Sequence, residues 1–264
     1  MKRAYIDIPQ GQMHYRYAGA GEPALLLHGS ASHSGEFEAV GNLLARRFQV
    51  YAIDLLGFGA SDRPPVEKGE AFGPRGEPVY SIRQHGATVL SFMDAMSIER
   101  AMIFGVSAGA AVAAVVAREK PERARRLVLA APYMPGQSGD DRGEKDKYPL
   151  PEYQADGRHL LEYWRRINYG EAPQVNHHWL TGYCLAGDLC ESLRWALAEA
   201  KDEPGFFDRP RVPALILRFG AGGNNGADDA DGADAVTEWI DGAGLYGVKT
   251  HAEAIVDAIL RRFA

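Results

Sequence analysis

Apolar residues along the chain follow two patterns that take turns. Short continuous runs occur at PALLLHG (23–29), FQVYAIDLLG (48–57), RAMIFGVS (100–107), RRLVLAAP (125–132) and VPALILRFG (212–220). Such runs suit strands buried on both faces of a parallel sheet. Stretches of helical character lie between them at 37–47, 82–96 and 108–120. AYIDIP and MHYRYAG alternate apolar and polar residues and predict two strands turned at Gly11. At the end of the chain Ala252, Ile255, Val256, Ile259, Leu260 and Phe263 recur at helical spacing. Thr250 and Glu253 have the spacing of a capping box, which makes His251 the first residue of that helix. Strands alternating with helices at this interval predict βαβ units and a mostly parallel twisted sheet.

The rhythm stops between Pro132 and Val212. A polar loop, GQSGDDRGEKDKYP, is followed by helix-like segments that carry Tyr163, Trp164, Trp179, Tyr183 and Trp195. The expected organisation is a core of residues 1–132 and 212–264 with a helical lid, 133–211, inserted between two strands. Most of these aromatics should pack the lid onto the sheet, with Trp164 and Trp179 expected to line an apolar substrate pocket. AGGNNGADDADGADA (221–235) is a low-complexity stretch of the kind expected in a loop.

Composition narrows the function. The chain has 264 residues, enough for one large α/β domain with a subdomain. A net charge of −6 gives no electrostatic attraction to nucleic acid or to an anionic membrane, which leaves a small molecule as the expected partner. Arg123, Arg125 and Arg126 read as a solvated turn. Cys184 and Cys190, the two cysteines, fit reduced thiols, and His177-His178 lacks a partner at metal-ligand spacing. MKRAYIDIPQ interrupts any apolar leader, and no stretch reaches membrane-spanning length. The expectation is a cytoplasmic monomer or homodimer that uses neither metal nor cofactor.

The candidate chemistry starts at Gly105-Val106-Ser107-Ala108-Gly109, between an apolar strand and an alanine-rich helix. G-x-S-x-G in that setting is a nucleophile elbow, in which glycines permit a sharp turn that projects the serine hydroxyl. Backbone N–H groups at the start of the following helix can stabilise a developing oxyanion. His28-Gly29-Ser30 ends an earlier strand. There the N–H of Ser30 is the expected second oxyanion donor beside that of Ala108, with His28 buttressing the loop. Asp54 to Asp62 reads as a tight turn held by the two aspartates.

These three motifs, in this order and spacing, resemble the α/β-hydrolase family, in the branch of bacterial esterases, lipases and C–C bond hydrolases. The resemblance implies a serine nucleophile, an acid after a late strand and a histidine before the last helix. Haloalkane dehalogenases and epoxide hydrolases have similar sheets but an aspartate at the elbow, and Ser107 argues against both. Two departures stand out. Gly220-Ala221-Gly222-Gly223 occupies the acid's usual G-x-x-D place, with the first carboxylates at Asp228 and Asp229 and others at Asp231 and Asp234. Gly242-Ala243-Gly244-Leu245 puts leucine where the family's G-A-G-H phrase has histidine.

A serine hydroxyl needs a general base and a group to orient it. His251, six positions beyond Leu245, is the candidate base and Asp228 or Asp229 the candidate acid. His33, His85, His177 and His178 are the alternatives. The expected activity is hydrolysis of a small or medium apolar ester, lactone or thioester. A non-hydrolytic enzyme on the same scaffold (lyase, cyclase or isomerase) and a ligand-sensing protein are the competing expectations.

Overall fold

The computed structural model describes residues 1–65, 80–132, 154–166, 172–202, 211–220, 234–244 and 246–263. Eight strands form one sheet: β1 (Lys2–Ile8), β2 (Gly11–Ala18), β3 (Glu22–Leu27), β4 (Phe48–Ile53), β5 (Ala101–Val106), β6 (Ala124–Ala130), β7 (Ala214–Gly220) and β8 (Ala235–Asp241). Their order across the sheet is β1-β2-β4-β3-β5-β6-β7-β8. β1 pairs antiparallel with β2, and β2 antiparallel with β4, while every pairing from β4 to β8 is parallel. The alternating N-terminal strands thus form a hairpin on one margin, and the continuous apolar runs form the parallel centre.

Side-chain alternation explains why those runs are apolar throughout. Leu25, Leu27, Ile103, Leu127 and Leu129 point to one face of the sheet, into a core shared with α2 (Ile82–Ala95) and α3 (Ala108–Glu119). Leu26, Met102, Phe104, Val128 and Leu217 point to the other, against α1 (Glu38–Leu44) and α8 (Ala252–Phe263). With helices on both faces no strand residue in the centre can be polar without losing its hydration. The helix expected over 37–47 is a 3-10 turn, Ser34–Phe37, followed by the shorter α1.

Among the described residues, three helices lie between β6 and β7: α4 (Arg158–Arg166), α5 (Pro173–Ala186) and α6 (Leu189–Asp202). Tyr163 of α4 stacks on Tyr183 of α5, with centroids 3.9 Å apart. Leu189, Leu193 and Leu197 of α6 join the core on the α2–α3 face. After β8 the chain makes one short helix, α7 (Gly247–Thr250), before α8. The capping expected of Thr250 is not made. Its hydroxyl lies 2.8 Å from Nδ1 of His251 and 3.4 Å from the Tyr246 carbonyl, because Thr250 ends α7 instead of preceding α8.

Candidate active site

Ser107 sits between the C-terminal end of β5 and the first turn of α3, at φ 52° and ψ −115°. This backbone conformation is costly for any residue with a Cβ. The flanking glycines make the turn possible. A Cβ on Gly105 would lie 2.5 Å from the Ala110 nitrogen, and one on Gly109 would lie 2.6 Å from the Leu27 carbonyl carbon. Strand, turn and helix therefore touch through bare backbone. The Ser107 N–H donates to the Ala130 carbonyl at 3.0 Å and its carbonyl accepts from Ala110 at 2.9 Å.

The loop after β3 approaches from the side. His28 is fully buried and donates from Nδ1 to the Gly29 carbonyl at 2.7 Å while Nε2 accepts the Leu55 N–H at 3.1 Å. Both ring nitrogens are committed to holding the loop. Asp54 accepts from the N–H groups of Ser34 and Ala60 and pairs with His14, and Asp62 accepts from the Gln12 N–H, so both aspartates hold their turn. A Cβ placed on Gly29 would sit 3.5 Å from the Ser107 Cβ and 3.8 Å from the Trp179 ring, so the three residues meet at one point. Among the described residues, neither the Ser30 N–H nor the Ala108 N–H donates to any acceptor.

Trp179 comes from α5. Its ring stacks on Tyr246, centroids 4.8 Å apart, and both are almost wholly buried. Among the described residues the buried Trp179 indole N–H has no hydrogen-bond partner. Trp164 lies on α4, half-buried, and is not part of this stack.

Beside the stack is a polar cluster. The Ser32 hydroxyl lies 3.0 Å from Nε2 of His178, whose ring packs on His33 at 4.3 Å. His33 accepts the Gly35 N–H at Nδ1. The buried Glu36 accepts the Gly29 N–H at 3.3 Å, and burial pushes its carboxyl up to about 7 despite that bond and the nearby Ser32 and Lys249. Burial also pulls His33 down to about 4 and His178 down to about 2, so both imidazoles are neutral near pH 7.

The family described as alpha/beta hydrolase fold matches residues 23–182, more than half of the chain. The chain belongs to that family. A haloalkane dehalogenase of Mycobacterium tuberculosis is 33% identical over 125 residues, covering 47% of this chain and 40% of the relative. A 2-hydroxymuconate semialdehyde hydrolase of Pseudomonas putida is 38% identical over 113 residues, covering 42% and 36%. The chain thus matches well under half the length of these relatives. An esterase from Thermogutta terrifontis has the same fold, with a TM-score of 0.76 at 18% identity over 99% of this chain and 97% of that one.

The sequence resemblance implies a histidine at the elbow. Among the described residues no imidazole is hydrogen-bonded to the Ser107 hydroxyl. His251 follows α7 and bonds Thr250 through Nδ1, while its Nε2 lies 3.5 Å from the point where a Cβ on Gly242 would sit. His85 is buried against Tyr80 and Phe58, and burial pulls it down to about 3. His177 is exposed. Asp228, Asp229, Asp231 and Leu245 lie outside the described residues. Asp234 opens β8, at the opposite end of the parallel strands from Ser107.

Three residues near the site had no distinguishing sequence signal. Glu36 reads as an ordinary acid at a helix start, Ser32 as one of several loop hydroxyls, and Tyr246 as the residue after an unexpected leucine. Only the fold shows that Glu36 and Ser32 are buried under the loop and that Tyr246 meets Trp179.

Proposed function

We propose that the protein is a serine hydrolase acting on a small or medium apolar ester, lactone or thioester. The observation that carries this reading is the strained Ser107 turn packed beside Gly29, with the neighbouring N–H groups of Ser30 and Ala108 unengaged among the described residues. A residue is held at such φ and ψ only where the surroundings over-determine it, and this recurs at functional sites. Ser107 Oγ attacks the substrate carbonyl carbon, the two N–H groups hold the resulting oxyanion, and collapse expels the alcohol or thiol. Water then hydrolyses the acyl-enzyme. Trp179 stacked on Tyr246 forms the apolar wall, and residues 133–211 act as the cap that carries it, with Trp164 in a more peripheral part of the pocket.

His251 is our assignment for the proton acceptor, oriented by Asp228. The other candidates are poorly suited as bases: His28 has both nitrogens engaged, and burial suppresses protonation of His33, His85 and His178. Catalytic hydrogen bonds often close only with substrate present. The partner is a small molecule. No helix among the described residues is long and apolar enough to cross a membrane.

Intact mass after fluorophosphonate treatment tests this on the parent, Ser107→Ala and His251→Ala. An adduct on the parent that both variants lose supports the full assignment. An adduct that survives His251→Ala removes that residue and keeps the hydrolase. No adduct on folded parent rejects it in favour of a second reading, non-hydrolytic chemistry or ligand sensing. What favours that second reading is the lack of an imidazole bonded to Ser107 among the described residues.

A further inference from the structure

The peptide that carries the Ser30 N–H is held from two sides. On the core side, its Gly29 carbonyl accepts from His28 Nδ1 at 2.7 Å, and the N–H of the preceding peptide, that of Gly29, bonds the buried Glu36 carboxyl at 3.3 Å. On the cap side, Ala31 has φ +58°, in the left-handed region that strains a residue with a Cβ. Gly182, near the C-terminal end of α5, lies directly over it. A Cβ at Gly182 would fall 2.7 Å from the Ala31 carbonyl carbon and 2.9 Å from the Ser32 Cα. These are backbone atoms, which cannot swing aside as a flexible side chain would. One helical turn earlier on the same face of α5, His178 Nε2 meets the Ser32 hydroxyl at 3.0 Å. From α6, Arg194 Nε reaches the Ser30 hydroxyl at 3.5 Å.

From these contacts we infer that the cap positions the oxyanion donor: docking of α5 through Gly182 and His178 holds residues 30–32 in the strained conformation that presents the Ser30 N–H to Ser107. The inference rests on Ser30 being an oxyanion donor, as proposed above. A strained backbone persists only while its neighbours over-determine it. With α5 displaced, Ala31 relaxes and the Ser30 N–H turns away. Loss of one oxyanion donor lowers turnover by roughly a hundredfold or more, without a matching loss of ground-state binding. Gly182, His178 and Ser32 are positioning residues, and the cap acts on kcat more than on KM.

The test compares the parent with Gly182→Ala, Ser32→Ala and, as a control on the exposed side of α5, Leu185→Ala. Amide hydrogen exchange of residues 29–33 is measured beside fluorophosphonate labelling and p-nitrophenyl butyrate kinetics. Gly182→Ala is expected to speed exchange at 29–33 while β3 and β5 keep their protection. Its kcat should fall by roughly tenfold or more with KM within about threefold, since the donor is misplaced and the pocket kept. Ser32→Ala should act in the same direction more weakly, and Leu185→Ala should match the parent. Unchanged exchange and unchanged kcat in both Gly182→Ala and Ser32→Ala overturn the inference, even if Ser107 labels normally. Faster exchange in a protein whose Ser107 never labels overturns the hydrolase reading and leaves cap control of the loop standing. Should Gly182→Ala fail to fold, Ser32→Ala and His178→Ala decide by the same two readouts.

Discussion

Gly109 lies against Leu27 so closely that a Cβ on the glycine would stand 2.6 Å from the leucine's carbonyl carbon. That contact seats the first turn of α3 on the end of β3, and it fixes the distance between Ser107 and the Gly29–Ser30 peptide. Gly109→Ala must push helix and strand apart, because backbone atoms line both sides. Overpacking of this kind costs about 1–3 kcal/mol. Urea unfolding should show a lower midpoint with an unchanged slope, and Ser107 labelling should slow in the folded protein. Gly157→Ala is the comparison. Gly157 has φ +73° with open space around it, so the change costs only backbone strain of about 1 kcal/mol.

The Trp179 indole N–H is buried and has no partner among the described residues. Trp179→Phe removes that unmet donor while keeping most of the ring that stacks on Tyr246. Stability is expected to stay level or rise by about 1 kcal/mol, since an unsatisfied buried polar group costs at least that. Trp179→Ala should instead lose about 3 kcal/mol from the cavity. If Trp179→Phe keeps its stability but loses kcat/KM, the N–H is spent on the substrate. Thermal unfolding and ester kinetics on the same samples read both.

Much of this architecture was legible in the sequence because its causes are local. Five continuous apolar runs became five central strands, since strands covered on both faces tolerate little else. The elbow was legible because a glycine two residues either side of Ser107 has a steric reason visible in the motif itself. The contacts that shape the oxyanion loop were not legible. Gly182 meets Ala31, and His178 meets Ser32, across more than a hundred residues of chain. Nothing near either position marks it. The Thr250–Glu253 pattern misled because α7 ends at Thr250 and α8 begins at Ala252, so the capping spacing sat one residue too early.

Acid should destabilise the protein steeply. His28, His33, His85 and His178 are all lowered, with burial the largest cause, so the folded state holds these imidazoles neutral. Between about pH 4.5 and 6 the unfolded chain protonates all four. Glu36 acts in the opposite sense. Its folded pKa is raised to about 7, so the native state keeps a proton that the unfolded chain has lost. The unfolded state therefore binds up to three more protons net, and stability rises with pH by at most about 4 kcal/mol per unit through this window. Urea midpoints measured from pH 4.5 to 8 should climb and then level off near neutrality. Glu36→Gln should steepen the climb below pH 6 and raise stability above pH 7, because it removes a group that favours folding at low pH.

Asp54 adds a separate acid step. Burial opposes its ionisation, but the bonds from His14, Ala60 and Ser34 outweigh it and hold the carboxyl well below the usual range. A depressed folded pKa gives stability that is complete above the unfolded value and is lost as pH falls beneath it. The loss therefore begins below about pH 4, under the histidine window. Asp54→Asn cannot accept from both N–H groups and His14 at once. It should lower stability at pH 7 by about 2–3 kcal/mol and abolish the step below pH 4.

Ser107 itself provides the clearest conflict between stability and function. At φ 52° and ψ −115° any Cβ is strained, by about 1–3 kcal/mol, and glycine is not. Ser107→Gly and Ser107→Ala both remove the hydroxyl, so both should fail to label with fluorophosphonate. They should differ in stability. Glycine relieves the strain and gives back part of the gain through the greater freedom of its unfolded chain, leaving a net rise of about 1 kcal/mol over the parent. Alanine keeps the Cβ and should match the parent closely. Thermal melts of the three proteins decide the point. If glycine proves no more stable than alanine, the turn is not strained, and the main structural reason for assigning Ser107 a chemical role is gone.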